Sequence, residues 1–144
     1  MNKICDKCHR SLPISEFYKI TTNKQDLRSI CKDCQNDYND TYRKTFNGKT
    51  SKALSNAKNK AKLLHKNLSH NFTVDEWRKK IMGTKGVCLS CRNAVGICSI
   101  TMDHVIPLSE APNGFSYSID DVQPLCSTCN TKKGKCSILY FIQE

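Results

Sequence analysis

No stretch of this chain approaches the roughly 18–20 consecutive apolar residues that a membrane span requires. The start, Met1-Asn-Lys-Ile-Cys5, has a charge with no apolar run behind it and is not expected to act as a secretory signal. Apolar residues make up only 38 % of the 144, too few for one large core. That length suits one ordinary domain or two small ones. Acidic residues are missing altogether between Asp40 and Asp75. Residues 41–80 hold eleven Lys/Arg against two Asp/Glu, while residues 1–40 hold seven against six and residues 81–144 five of each. Nine of the ten net positive charges therefore lie in one block. A local excess of this kind suits a polyanionic partner, although a solvated helix face carries the same pattern.

Cysteine, by contrast, is abundant: ten residues, which fit either a disulfide scaffold or metal sites. With no secretory signal, the expected setting is a reducing cytoplasm, where cysteines serve as thiolates on metal. Eight of them form Cys-x-x-Cys pairs: Cys5/Cys8, Cys31/Cys34, Cys88/Cys91 and Cys126/Cys129. A two-residue gap lets both sulfurs of a pair reach one ion, and zinc takes four thiolates in a tetrahedron. The pairs therefore predict two structural Zn²⁺ sites with no open position. His9 follows Cys8, but the pairs already complete that site. Cys98 and Cys136 are left over and read as small apolar packing residues.

Three segments follow. Residues 1–34 form a zinc module whose apolar patch comes from Leu12, Ile14, Phe17, Tyr18 and Ile20; it is too short to fold by burial alone. Residues 35–82 form a basic helical arm. Residues 35–47 are polar but place Tyr38, Tyr42 and Phe46 at four-residue spacing, and Gly48 interrupts. Residues 50–68 then repeat Ala53, Ala57, Ala61, Leu64 and Leu68 on one helix face. Lys52, Lys58, Lys60, Lys62 and Lys66 belong to the same helix and are candidate phosphate contacts. The same composition fits a mobile linker that orders only on DNA. Thr73-Val-Asp-Glu76 is a capping box that opens a third helix through about Met82, with Trp77 and Ile81 on one face as core residues. His65 and His70 lie outside any ligand spacing and are expected at the surface.

Residues 83–144 hold the chemistry. Cys88-Leu-Ser-Cys91 makes a metal knuckle, and Ile97–Val105 is rich in β-formers. Asp103 and His104 sit near its end, and Pro112-Asn-Gly114 is turn chemistry. Val122–Leu125 reads as a return strand. Cys126-Ser-Thr-Cys129 is a second knuckle, followed by a helix from about Ser127 to Tyr140. The order is strand, loop, strand, helix, with zinc tying the ends. Lys132, Lys133 and Lys135 on that helix are further phosphate candidates.

Three motifs occur here in order: Asp103-His104-Val-Ile-Pro-Leu108, Asp121-Val-Gln-Pro-Leu-Cys126 and Cys129-Asn130-Thr-Lys-Lys-Gly134. In this the segment 86–140 resembles the HNH (ββα-metal, His-Me finger) endonucleases. With Asn directly after the last cysteine, it is most similar to the recombination endonuclease VII-like subgroup. The resemblance implies an α+β fold: a small zinc-stabilised, treble-clef-like ββα-metal core beside the N-terminal zinc module and the basic helical arm. It implies hydrolysis of DNA phosphodiesters with His104 as general base. Asp103 and Asn130 would hold one catalytic Mg²⁺ or Mn²⁺, a hard cation that takes oxygen ligands.

Two departures from the family pattern stand out. Asn130 replaces a frequent His; its amide oxygen can still bind metal, though at the start of a helix it also suits a cap. Asp121 stands where Asn is usual, with Asp120 a competitor for that position. Asp121 would shape the loop, accept an imidazole N–H from the catalytic histidine, or lie at the surface. The resemblance further implies a phage or mobile-element source, action in a bacterial host cytoplasm, and a duplex, nicked or branched DNA partner, with no membrane partner. A monomer or a homodimer is compatible with it. The rival reading is a non-catalytic nucleic-acid-binding zinc regulator, which needs the cysteines and lysines but not Asp103, His104 or Asn130.

Overall fold

A computed structural model describes residues 1–20 and 26–140 of the chain. The chain divides into two compact units at Lys44/Thr45. Residues expected to form one basic arm are thus shared between the two.

In the first unit, β1 (Asn2–Ile4) pairs antiparallel with β2 (Ser11–Pro13), and β3 (Phe17–Lys19) with β4 (Leu27–Cys31). Helix α1 (Lys32–Lys44) follows at once. The buried centre is little more than Cys5, Phe17, Cys31 and Cys34, flanked by Leu12, Leu27 and Ile30. Of the expected apolar patch, Ile14 and Tyr18 are instead exposed. Such a centre is too small to stabilise a fold alone, which leaves the four sulfurs as its staple.

The second unit opens with α2 (Phe46–Leu63). The break between α1 and α2 falls at Thr45, not Gly48: Thr45 Oγ1 accepts from Gly48 N at 3.1 Å and caps α2. Gly48 is buried inside the first turn. The helix ends before Leu68 because His65 takes a left-handed φ of 52°. Thr50, Leu54, Ala57 and Ala61 form its buried face. Helix α3 (Val74–Gly83) begins with the expected capping box: Thr73 Oγ1 accepts from Glu76 N, and the Glu76 carboxylate accepts from Thr73 N. Its Trp77 and Ile81 are each 1 % exposed and centre the core, with Leu54, Phe72, Ile100, Leu108, Tyr117 and Val122 around them.

Two small sheets complete the unit. β6 (Ile100–His104) pairs antiparallel with β8 (Val122–Cys126), Asp103 opposite Gln123 and His104 opposite Val122. β5 (Ser69–His70) pairs parallel with β7 (Ser116–Tyr117). Helix α4 (Ser127–Lys133) is shorter than its sequence suggests, because Gly134 turns to positive φ and closes it. Upstream of the first knuckle, Gly86 is required: a Cβ there would lie 2.6 Å from the backbone of Gly96 and Ile97. No helix among the described residues is long and apolar enough to cross a membrane.

Candidate active site and metal centres

Two groups of four sulfurs each lie within 4.8 Å of one another: Cys5, Cys8, Cys31, Cys34 and Cys88, Cys91, Cys126, Cys129. In the first group, Cys5 and Cys34 are 3.9 Å apart, as are Cys8 and Cys31. That is far beyond a disulfide and close to the edge of about 3.8 Å expected for a tetrahedron with Zn–S bonds of about 2.3 Å. Backbone N–H groups, led by that of Cys8, pull Cys5 down to about 6. Burial and the neighbouring sulfurs push Cys34 up to about 12. Burial opposes ionisation of Cys88, yet the N–H groups of Cys126, Cys91 and Ser90 bring it to about 7. Four sulfurs this close become thiolates together only around a cation, so both sets fit zinc.

The two sites share a local plan that the sequence shows only as cysteine spacing. In each, the residue after the first pair, His9 or Arg92, has positive φ and donates its N–H to the carbonyl of Cys5 or Cys88. In each, the third cysteine ends a strand (β4 or β8) and the fourth lies in the first turn of the following helix. The expectation that Cys98 and Cys136 pack internally is not met, since both are exposed.

Within the second unit a cleft of ≈ 590 Å³ runs between α2 and the β6–α4 face. Asp103, His104 and Asn130 line it, and Lys49, Lys52, Asn56 and Lys60 of α2 form the opposite wall. Asp103 and His104 are neighbours on β6, so their side chains part. Asp103 is 5 % exposed, and its carboxylate accepts from Gln123 Nε2 at 2.8 Å and is ion-paired with Lys133. Burial raises its pKa, while Gln123 and Lys133 pull against that shift. The ring of His104 turns the other way, edge-on to Tyr117 with centroids 4.7 Å apart. Burial holds His104 down to about 3, with neighbouring His70, Lys133 and Lys60 also disfavouring its protonation, so the ring is neutral near pH 7. Asn130 donates through Nδ2 to Thr101 Oγ1 at 3.0 Å and to Met102 O at 3.3 Å. With its nitrogen committed, the amide oxygen is the atom left for a cation.

The remaining candidates fall in different settings. Lys133 is no surface lysine: its side chain is fully buried, and Nζ donates to His104 O at 2.8 Å as well as to Asp103. Lys66 is tied to the loop carbonyls of Ser109 and Ala111, at 2.6 and 2.7 Å. Lys58, Lys62, Lys132 and Lys135 are exposed. Asp121 does not reach an imidazole; its carboxylate caps the turn at Ser118, accepting from the backbone N–H at 2.7 Å and from Oγ at 2.6 Å. Its carbonyl accepts from Val105 N, so it fixes the backbone just beyond His104. Asp120 is exposed beside Lys80.

Two residues of the site carry no signal in the sequence. Gln123 is 1 % exposed and spends its whole amide, on Asp103, on Ile138 O and on Tyr140 N. His70, expected at the surface, is half-buried with its Nε2 2.9 Å from His104 Nε2. The parallel pairing of His70 with Tyr117 brings it there, and no spacing along the chain signals that contact.

The strand, loop, strand and helix that carry these residues lie within one matched segment. Residues 88–135 match the HNH endonuclease family model. No curated protein and no solved structure matches the chain. The HNH segment spans the second zinc cluster, Asp103, His104 and Asn130. It excludes α2, α3 and β5, and therefore excludes the lysine wall, Trp77 and His70.

Proposed function

We propose that this protein is a metal-dependent DNA endonuclease whose active site is the cleft between α2 and β6. The observation that carries the reading is that His104, Asp103 and Asn130 of the HNH segment share one cleft with the lysines of α2. His104 is the general base: neutral, held on Tyr117, with Nε2 engaged and Nδ1 left for a water. Lys52 and Lys60 hold phosphate oxygens across the cleft, and a bound phosphodiester brings the negative charge that moves His104 back up. Asp103 and Asn130 would hold one Mg²⁺ or Mn²⁺, which neutralises phosphate charge and supports the leaving oxygen when bound. Both zinc sites are structural. The Cys129-Asn130 ending supports an endonuclease VII-like relationship and, with it, a phage or mobile-element source.

One observation favours a second reading. Asp103 is paired with Lys133, and a non-catalytic nucleic-acid-binding zinc protein would leave that pair undisturbed. Cleavage of supercoiled and branched DNA with Mg²⁺ or Mn²⁺, wild type against His104→Ala, decides between them. The nuclease reading expects cutting by wild type, and a loss of about 10²–10⁴-fold in the variant. Intact DNA with wild type in both metals refutes it, and equal cutting by the variant refutes the role of His104.

A further inference from the structure

We propose that His70 is a positioning residue for His104: its Nε2 accepts the Nε2–H of His104, so that His104 offers its Nδ1 lone pair to the cleft. This rests on the nuclease reading of His104.

The contact itself sets the logic. Two neutral imidazoles 2.9 Å apart through Nε2 form a bond only if one ring donates and the other accepts. Each ring thereby fixes the tautomer of the other. With Nε2 of His104 taken, Nδ1 is the nitrogen left to act on a water, and it is bare only when the proton sits on Nε2. His70 must then be the acceptor. The opposite arrangement puts the proton of His104 on Nδ1 and silences it as a base.

His70 is held for this task. Its backbone lies in β5 beside Tyr117, and Asn71 N donates to Tyr117 O at 2.7 Å. Its ring stacks on Tyr117 at 5.2 Å with planes 18° apart and meets Phe72 edge-on at 5.7 Å. Tyr117 is itself anchored, its hydroxyl donating to Ile106 O at 2.9 Å. One pillar, fully buried, thus braces both imidazoles.

The remaining atom of His70 argues against a packing role. Nδ1 is buried and has no hydrogen-bond partner among the described residues. A buried polar atom left unpaired costs stability, and Phe or Leu at this position would avoid the cost. A histidine at this position is explained by what its other nitrogen does.

The test uses the full zinc-loaded chain with two substitutions. His70→Phe keeps a ring on Tyr117 and removes the acceptor; His70→Gln keeps an acceptor oxygen. Nitrogen-15 NMR of the imidazoles at neutral pH should find His104 as the Nε2–H tautomer in wild type and His70→Gln, and shifted toward Nδ1–H in His70→Phe. His70→Phe should lower kcat for plasmid cleavage about 10–100-fold, the range for loss of an orienting partner. KM for DNA should stay unchanged and the melting temperature should not fall, while His70→Gln recovers most of the rate. An Nδ1–H tautomer of His104 in wild type overturns the proposal. So does wild-type cutting by His70→Phe, or a rate loss that only follows a loss of stability. If wild type cuts nothing, the nuclease reading fails separately, and the tautomer still shows whether His70 sets His104.

Discussion

The ammonium of Lys133 bridges the carboxylate of Asp103, 3.3 Å from Oδ1 and 3.2 Å from Oδ2, with the two side chains 0 % and 6 % exposed. The pair keeps a negative charge inside the core by partnering it internally. Removing one member is expected to cost more than the pair contributes, since an unpaired buried charge remains. Lys133→Met should destabilise the zinc-loaded protein by about 3–5 kcal/mol in urea unfolding without added Mg²⁺. Mn²⁺ or Mg²⁺ should restore part of that loss, because a cation on Asp103 takes the place of Lys133. The double variant Asp103→Asn, Lys133→Met should lose less than the two single losses added together. Equal stability of wild type and Lys133→Met would show that the pair is not held in solution.

The lysines of α2 differ in what they face, and DNA binding should follow that difference. Neutralising Lys52 and Lys60, which line the cleft, should weaken binding and reduce the slope of log affinity against log salt. The reduction should be about 0.9 for each phosphate that is no longer neutralised. Lys66→Ala should leave that slope in place and instead loosen the Ser109–Ala111 loop that it ties. Fluorescence anisotropy on a short duplex at several salt concentrations measures the slope for each variant.

Stability should fall with acid over a window set by the imidazoles. His104 is held down to about 3, by burial first, and His70 is lowered in the same direction by burial and by Lys58. In the unfolded chain both protonate near 6.5. Below that pH the unfolded state binds more protons, so their contribution is complete above about pH 6.5 and is lost as pH falls toward about 3. Asp103 works in the opposite sense, since its raised pKa favours the folded state once acid protonates it. Zinc thiolates also protonate in acid, so the comparison is with His104→Phe. That variant should show a shallower loss between about pH 6.5 and 4 in urea unfolding at fixed zinc.

Two zinc ions per chain are expected by elemental analysis, one for each four-sulfur cluster. Cys126→Ser should release one of them and unfold the second unit, because Cys126 joins β8 to α4. The first unit should keep its own ion. Retention of both ions in the variant would overturn the four-sulfur assignment of the second site.

Features that depend on near neighbours are legible in the sequence. The Cys-x-x-Cys pairs, the capping box at Thr73 and the β6–β8–α4 order rest on short spacing and intrinsic preference. Trp77 and Ile81 are readable as core because they are one helical turn apart. The illegible features depend on contacts across long stretches of chain. Lys133 looks like any lysine on a basic helix until Asp103 is placed against it. His70 gains its meaning from Tyr117, which reaches it through a two-residue parallel pairing that composition does not signal. Asp121 reads from sequence as a loop-shaping residue, a partner of the His104 imidazole or a surface residue, and only its contact with Ser118, three residues away, shows that it shapes the loop. Helices α2 and α4 end earlier than apolar periodicity suggests, because His65 and Gly134 stop them through backbone conformation, which that periodicity does not record.

Helix α2 gives Leu54 to the core and its lysines to the cleft, so the segment from Cys88 to Lys135 forms only part of the cleft's wall. That segment cannot be transplanted by itself. Cut out at residues 88–135, it would expose the apolar ground that Trp77 and Leu54 now cover, and it would keep only one wall of the cleft. A portable piece is expected to begin at Thr45, where the second compact unit starts, and any chimaera that splices inside α2 or α3 should be built as a two-part exchange.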